Sequence, residues 1–316
     1  MDNKIFISIA SYKDKLLKNT ILEAYNNAQY KDRLVFGIFE QIHMSDCLDL
    51  GQFPFRDQIR YQRVDPETTK GVCWARKNIQ EMITDEQYFL QIDAHTLFNP
   101  NWDQTLISTL DEIKKYHPKC VMSGYPDDFD CSTFEKHPGV PNSVNIISNM
   151  EERNHLFALH GFHPPVGGWF PSSLGIIHGY HLGACFIFSD ISFAQEVPYD
   201  DSVFFGGEEA ILSVRAWTHG YNIFHMSKIP LNHCWNKTYG GVVQRDYVPG
   251  HDIKIQVQAK EHIRKLVEGQ VASPYGLGTA RSIDDYMKYS GLDFFNYDFK
   301  HRKIIFETAY FDTLPM

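Results

Sequence analysis

An unbroken apolar run, Tyr88-Phe89-Leu90 and Ile92, stops abruptly at Asp93-Ala94-His95. The run is too short for a helix and has no polar alternation, so it predicts a strand buried on both faces. A strand of that kind needs cover above and below, which constrains the chain to a layered α/β fold. Such a strand leaves its sheet at the carboxyl end, where open α/β sheets bind ligands. Side chains at i and i+2 of an extended chain point the same way, so Asp93 and His95 can face one ion. A carboxylate and a neutral imidazole suit Mn²⁺ or a similar divalent cation, which in turn suits a diphosphate. A nucleotide-sugar enzyme is therefore the expectation.

The surrounding pattern agrees with a layered fold. Residues 4–10, 34–41, 59–64 and 120–124 read as strands, and residues 15–27, 72–82 and 102–116 carry apolar positions at helical spacing. Strands alternating with helices of this size predict a mostly parallel sheet with helices on both faces. Residues 126–180 break the pattern with many Pro, Gly, Asn and His residues, as in 163–169, and predict long binding loops. A strand is expected over 181–189, a turn and helix over 204–217 and a last core strand over 221–225. A helix over 254–268, a linker at 274–278 and a mixed segment from Ser282 onward complete the chain. The division expected is a catalytic domain over 1–245, with a nucleotide-binding half (1–125) and an acceptor half (126–245), followed by an extension over 246–316.

Composition narrows the partners. With 30 basic and 39 acidic residues the formal net charge is −9, which argues against nucleic acids and anionic membranes as partners. An acidic protein can still hold a diphosphate if it recruits a cation. The six cysteines form no C-x-x-C pair and several lie in apolar runs, so buried thiols are expected. Met1-Asp2-Asn3-Lys4 has no signal-peptide profile, and no apolar run approaches the roughly 18 residues needed to span a bilayer. A cytoplasmic protein is expected, in which Asn236-Lys237-Thr238 has no role in glycosylation.

Four further segments carry candidate chemistry. His233, in Pro230-Leu231-Asn232-His233-Cys234-Trp235, is expected in a loop and becomes a third ligand if the fold brings it to Asp93 and His95. Gly206-Gly207-Glu208-Glu209 opens a helix: the glycines allow close approach to a ligand, and the carboxylates sit where the helix dipole favours them. Lys70-Gly71 begins another helix that carries Arg76, a cation able to face a nucleotide or the acidic site. Ser11-Tyr12-Lys13-Asp14 follows the first strand, where a doubly wound sheet would hold a base and ribose.

In this order the segments Ile7–Asp14, Trp74–Arg76, Leu90–His95, Gly206–Glu209 and Arg215–Tyr221 resemble a nucleotide-sugar glycosyltransferase of the GT-A fold, over about residues 4–240. They are most similar to the cytoplasmic UDP-GlcNAc:polypeptide α-N-acetylglucosaminyltransferases that modify hydroxyproline on the ubiquitin-ligase subunit Skp1. A more distant similarity is to the polypeptide GalNAc-transferases. The resemblance implies a GT-A domain with a C-terminal helical or mixed extension, and Mn²⁺ or Mg²⁺ held by His95, His233 and Asp93. It implies a UDP-sugar donor contacted by Ser11, Tyr12, Asp14, Arg76, Asp93, Ala94, Gly183 and Gly207. The catalytic set it implies is Asp93, Glu208, Glu209 and Arg76, with Glu208 on the transferred sugar and retention of anomeric configuration. The acceptor implied is a protein or peptide hydroxyl, and a homo-oligomer is allowed. Two other classes stay open: a nucleotide-sugar-binding protein of the same fold without chemistry, and a metal-dependent hydrolase built on Asp93, His95 and His233.

Overall fold

A computed structural model describes residues 3–136, 176–205, 207–226, 228–235, 251–290, 292–293 and 298–299. The segments 163–169 and 236–238, Gly206 and the end of the chain lie outside the described residues.

The first strands and helices form where the hydrophobic pattern puts them. Strands β1 (Ile5–Tyr12), β2 (Leu34–Gln41), β3 (Ile59–Val64) and β4 (Tyr88–Asp93) pair in parallel, in the order β3-β2-β1-β4. Helices α1 (Leu17–Asn27) and α2 (Val72–Gln80) connect them. The period-two rule of a strand splits β1 between two cores. Ile5, Ile7 and Ile9 face one core, together with Leu90 and Ile92 of β4 and Ile21 of α1. Phe6 faces the other, with Phe89 and with Cys73 and Ile79 of α2. Both faces of the sheet are therefore covered, as a continuous apolar strand requires.

Short strand β5 (Thr96–Phe98) follows, then α3 (Trp102–Lys114), β6 (Cys120–Ser123), β7 (Asp127–Asp130) and β8 (Glu135–Lys136). Beyond them come β9 (Ile176–Gly179), β10 (Phe186–Asp190), α4 (Ile191–Glu196), α5 (Glu208–Thr218), β11 (Asn222–Met226) and β12 (Leu231–His233). The main sheet has eight strands in the order β3-β2-β1-β4-β10-β6-β11-β9, with β10 antiparallel to both its neighbours. A second, four-stranded sheet has the order β5-β12-β7-β8. Helices α6 (His251–Val267) and α7 (Ile283–Ser290) join the α2 and α5 side of the core through Ile263, Leu266 and Tyr286.

Four expectations are corrected. The strand expected over 181–189 begins only at Phe186, because three successive backbone N–H groups are captured by side chains. Leu182 N donates to Ser213 Oγ at 2.9 Å, Gly183 N to Ser123 Oγ at 2.8 Å and Ala184 N to Glu209 Oε1 at 2.7 Å. His233 lies on β12 rather than in a loop. The stretch at 274–278 is not a free linker: the buried Arg215 of α5 donates from Nη2 to Pro274 O at 2.8 Å, and Gly278 N donates to Thr218 Oγ1 at 2.9 Å. Cys131 and Cys234 are not free thiols but a disulfide, with Cα atoms 6.0 Å apart; Cys73, Cys120 and Cys185 are buried thiols as expected. Among the described residues no helix is long and apolar enough to cross a membrane.

Candidate active site

The carboxyl end of β4 meets the second sheet at one corner, and that meeting assembles the site. β5 leaves β4 after the Ala94-His95 turn and pairs antiparallel with β12, placing His233 opposite Thr96. Cys234 N donates to His95 O at 3.0 Å, which fixes the turn against the end of β12. On the α1 side, Thr20 Oγ1 donates to Ala94 O at 2.8 Å and accepts from Thr96 N at 2.9 Å. The backbone around both histidines is thus held from two directions.

Three side chains converge there. Asp93, His95 and His233 each offer a ligand atom, and these atoms all lie within 4.8 Å of one another. Asp93 Oδ2 is 3.1 Å from His233 Nε2, and the imidazole centroids of His95 and His233 are 4.6 Å apart. His95 Nδ1 is 2.7 Å from Asp14 Oδ2, an arrangement that puts the proton on Nδ1 and leaves Nε2 with its lone pair. His233 Nδ1 is buried and makes no hydrogen bond. One carboxylate and two imidazoles, one of them oriented by a second carboxylate, form a donor set that fits a divalent cation of the Mn²⁺ type.

The electrostatics differ among the three side chains. Burial opposes ionisation of Asp93, but the His233 hydrogen bond and the charges of His233, Arg76 and His95 outweigh it and hold the acid well below the usual carboxylate range. Burial pushes His233 down, towards the neutral form that ligates, despite its Asp93 partner. Burial also pulls on His95, but Asp14 and Asp93 prevail and raise it.

Arg76 stands beside this cluster on α2. It is 4% exposed, and its Nη2 lies 3.2 Å from Asp93 Oδ1 and 3.3 Å from Ala184 O. Its Nε and Nη1 are buried with no hydrogen-bond partner, which leaves donors in reserve where a polar ligand would sit. The Ala184 peptide extends the site: its oxygen faces Arg76 and its N–H holds Glu209. Burial and the charge of Glu208 push the Glu209 acid up to about 8, although the Ala184 N–H opposes them. Gly207 caps α5 with φ +88°, a conformation that suits glycine, and the buried Glu208 starts the helix.

The remaining expected residues take graded positions. Ala10 of β1 pairs with Asp93, so Ser11 and Tyr12 lie at the same sheet edge. Ser11 Oγ is buried without a hydrogen bond, and Lys13 Nζ lies 5.5 Å from the Tyr12 ring centroid. Gly183 is held in the turn before β10, and Ala94 is buried under Thr20. Asp14 reaches His95 rather than standing apart with Tyr12. Sequence reasoning missed Ala184, the Tyr199 ring 5.3 Å from the Arg76 guanidinium, and Trp235 packed 4.2 Å from His233. Only Trp235, next but one to a candidate ligand, gave any signal.

Solved structures share this architecture. GalNAc-T7 with UDP, GalNAc and Mn²⁺ superposes with a TM-score of 0.57 over 97% of this chain and 57% of that one, at 13% identity. S. aureus TarS 1-349 in complex with UDP-GlcNAc gives a TM-score of 0.49 over 82% of this chain and 66% of that one, at 12% identity. The chain thus spans less than two thirds of the length of either. No curated protein matches the chain in sequence. The fold is that of the GT-A glycosyltransferases. Residues 49–296 match the family described as Glycosyltransferase (GlcNAc), and the chain belongs to that family of enzymes.

Proposed function

We propose that the protein is a metal-dependent, retaining glycosyltransferase that moves GlcNAc or GalNAc from a UDP-sugar to a polypeptide hydroxyl. The observation that carries this reading is the convergence of Asp93, His95 and His233 at the carboxyl end of β4. The family match supports sugar transfer, and the presence of UDP and Mn²⁺ in the GalNAc-T7 structure supports the donor and the ion. Similarity of the motif segments to the Skp1-type enzymes supports a hydroxyproline, serine or threonine acceptor.

His95, His233 and Asp93 would hold the cation. When bound, it supplies Lewis-acid stabilisation of the diphosphate that leaves. The chain's own contribution is positional and electrostatic. Arg76 keeps a buried positive charge beside Asp93, and its unpaired Nε and Nη1 can donate to phosphate oxygens. Ser11, Tyr12 and Gly183 line the nucleotide side, while Gly207 lets the α5 start approach the sugar that Glu208 contacts. Glu209, whose acid form is favoured by burial and by the charge of Glu208 and which is fixed by Ala184 N, is poorly suited to act as a nucleophile. Retention then follows from attack on the face the diphosphate leaves: the C1–O bond to phosphate breaks, the C1–O bond to the acceptor forms, and the leaving phosphate oxygen takes the acceptor proton.

A screen of UDP-sugars for Mn²⁺-dependent UDP release tests the proposal. Release should be confined to UDP-N-acetylhexosamines, and His95→Ala should reduce it by roughly 100-fold or more with its melting temperature nearly unchanged. Undiminished release by His95→Ala would remove the metal assignment.

A further inference from the structure

Asp14 sits just after β1, at a point where the chain makes an uncommon turn. Lys13 adopts φ +48°, in the left-handed region that costs a non-glycine residue roughly 1 kcal/mol or more. Its N–H is tied to Gln41 O at 3.0 Å, and the turn directs the Asp14 carboxylate inward, where the residue is 6% exposed. Both oxygens are then engaged by the protein. Oδ1 accepts from Leu16 N at 2.8 Å, ahead of α1, and Oδ2 faces His95 Nδ1 at 2.7 Å. A carboxylate so enclosed and so committed has little left to offer a ribose or a base.

We infer that Asp14 is a positioning residue for the metal centre: it locks the His95 ring and its tautomer so that Nε2 alone presents a lone pair to the cation. This rests on the metal-dependent reading above. A neutral imidazole with no partner at Nδ1 can place its proton on either nitrogen, and only one of the two tautomers ligates through Nε2. Asp14 removes that ambiguity and makes the ring a stronger donor, the role that outer carboxylates play behind metal-bound histidines. The division of labour is legible in the contacts. Thr20 fixes the backbone of the 94–96 turn, and Asp14 fixes the side chain that the turn presents. The same N-terminal segment thereby supplies both supports, although it contributes no ligand of its own.

Titration of the full chain with Mn²⁺ alone, followed by EPR, tests this without turnover. Asp14→Ala should bind Mn²⁺ about 10- to 100-fold more weakly than wild type. Pulsed EPR at saturating Mn²⁺ should show a reduced nitrogen coupling in the variant. Asp14→Asn keeps an oxygen acceptor for Nδ1–H without the charge, and should recover part of the affinity lost in Asp14→Ala. UDP affinity measured without metal should not change. Wild-type Mn²⁺ affinity and nitrogen coupling in Asp14→Ala would overturn the inference. So would a loss of metal-free UDP affinity with Mn²⁺ binding intact, which would return Asp14 to the nucleotide pocket. If Asp14→Ala does not fold, as judged by circular dichroism, Asp14→Asn decides: weaker Mn²⁺ binding than wild type supports the role and equal binding overturns it. A wild-type chain that binds no Mn²⁺ would fail separately, removing the metal reading and this role together.

Discussion

Among the described residues, the imidazoles withdrawn from solvent differ in whether a carboxylate stands next to them. His95 and His233 have acidic neighbours, whereas His225 on β11 and His181, in the turn segment before β10, have no carboxylate in contact among the described residues. Burial pushes His225 down to about 4, only partly opposed by its hydrogen bond to the His181 carbonyl, and it pushes His181 well down too. The fold therefore prefers both rings neutral. For His225 the contribution to stability is intact above the unfolded value of 6.5 and is lost as the pH falls towards about 4, and His181 acts in the same direction. For His225 the full difference corresponds to about 3 kcal/mol. Urea unfolding at pH 7 and pH 4.5 should show this loss, with a shallower decline in His225→Gln. Parallel declines in the two proteins would assign the acid sensitivity elsewhere.

At the scale of elements, Gly71 joins two parts of the site that are distant in sequence. Its φ of +95° and ψ of 177° lie in a region only glycine occupies comfortably, and a Cβ there would meet the Phe204 carbonyl oxygen at 2.1 Å. Phe204 O also accepts from Val72 N at 3.0 Å, so the start of α2 is sealed against the chain leading to Glu208. Gly71→Ala should cost about 1–3 kcal/mol and displace the start of α5, lowering sugar transfer more than UDP binding. A variant with both stability and transfer intact would show that the seal is dispensable. The sequence made α2, α5 and β1 to β4 readable because each carries a period or an unbroken apolar run. β5, β7 and β12 were not readable: at three or four residues each they hold no period, and they exist through pairing partners far away in the chain. His233 could accordingly be named as a candidate ligand but not placed on a strand.

Across the whole molecule, two ties hold distant segments to the core. The disulfide between Cys131 and Cys234 spans 103 residues and anchors the end of β12, directly after His233, to the turn following β7. Replacing both cysteines by alanine should lower stability by about 2–4 kcal/mol and weaken Mn²⁺ binding, because His233 loses its neighbouring anchor. Unchanged unfolding by urea under non-reducing conditions would contradict that tie. A buried disulfide is also the chemistry of an oxidising compartment, which weighs against the cytoplasmic expectation. The second tie is Arg215, wholly buried, whose guanidinium donates to the carbonyls of Pro274 and Gly276 and to that of Pro198. Arg215→Met should leave those carbonyls without their donor and raise hydrogen exchange around residues 274–290 well above the exchange in β1 and β4. Uniform exchange across the molecule would show the packing of Tyr286 to be sufficient alone.

The imidazole at 233 stands 140 residues from its carboxylate partner at 93. During synthesis at about 5–20 residues per second, that gap is on the order of 10 s of ribosome travel. A nascent or prematurely terminated chain ending within it carries two of the three donors and gains little from binding an ion. On the metal-dependent reading, capture of a cation would therefore reward only polypeptides translated past the last strand of the smaller sheet.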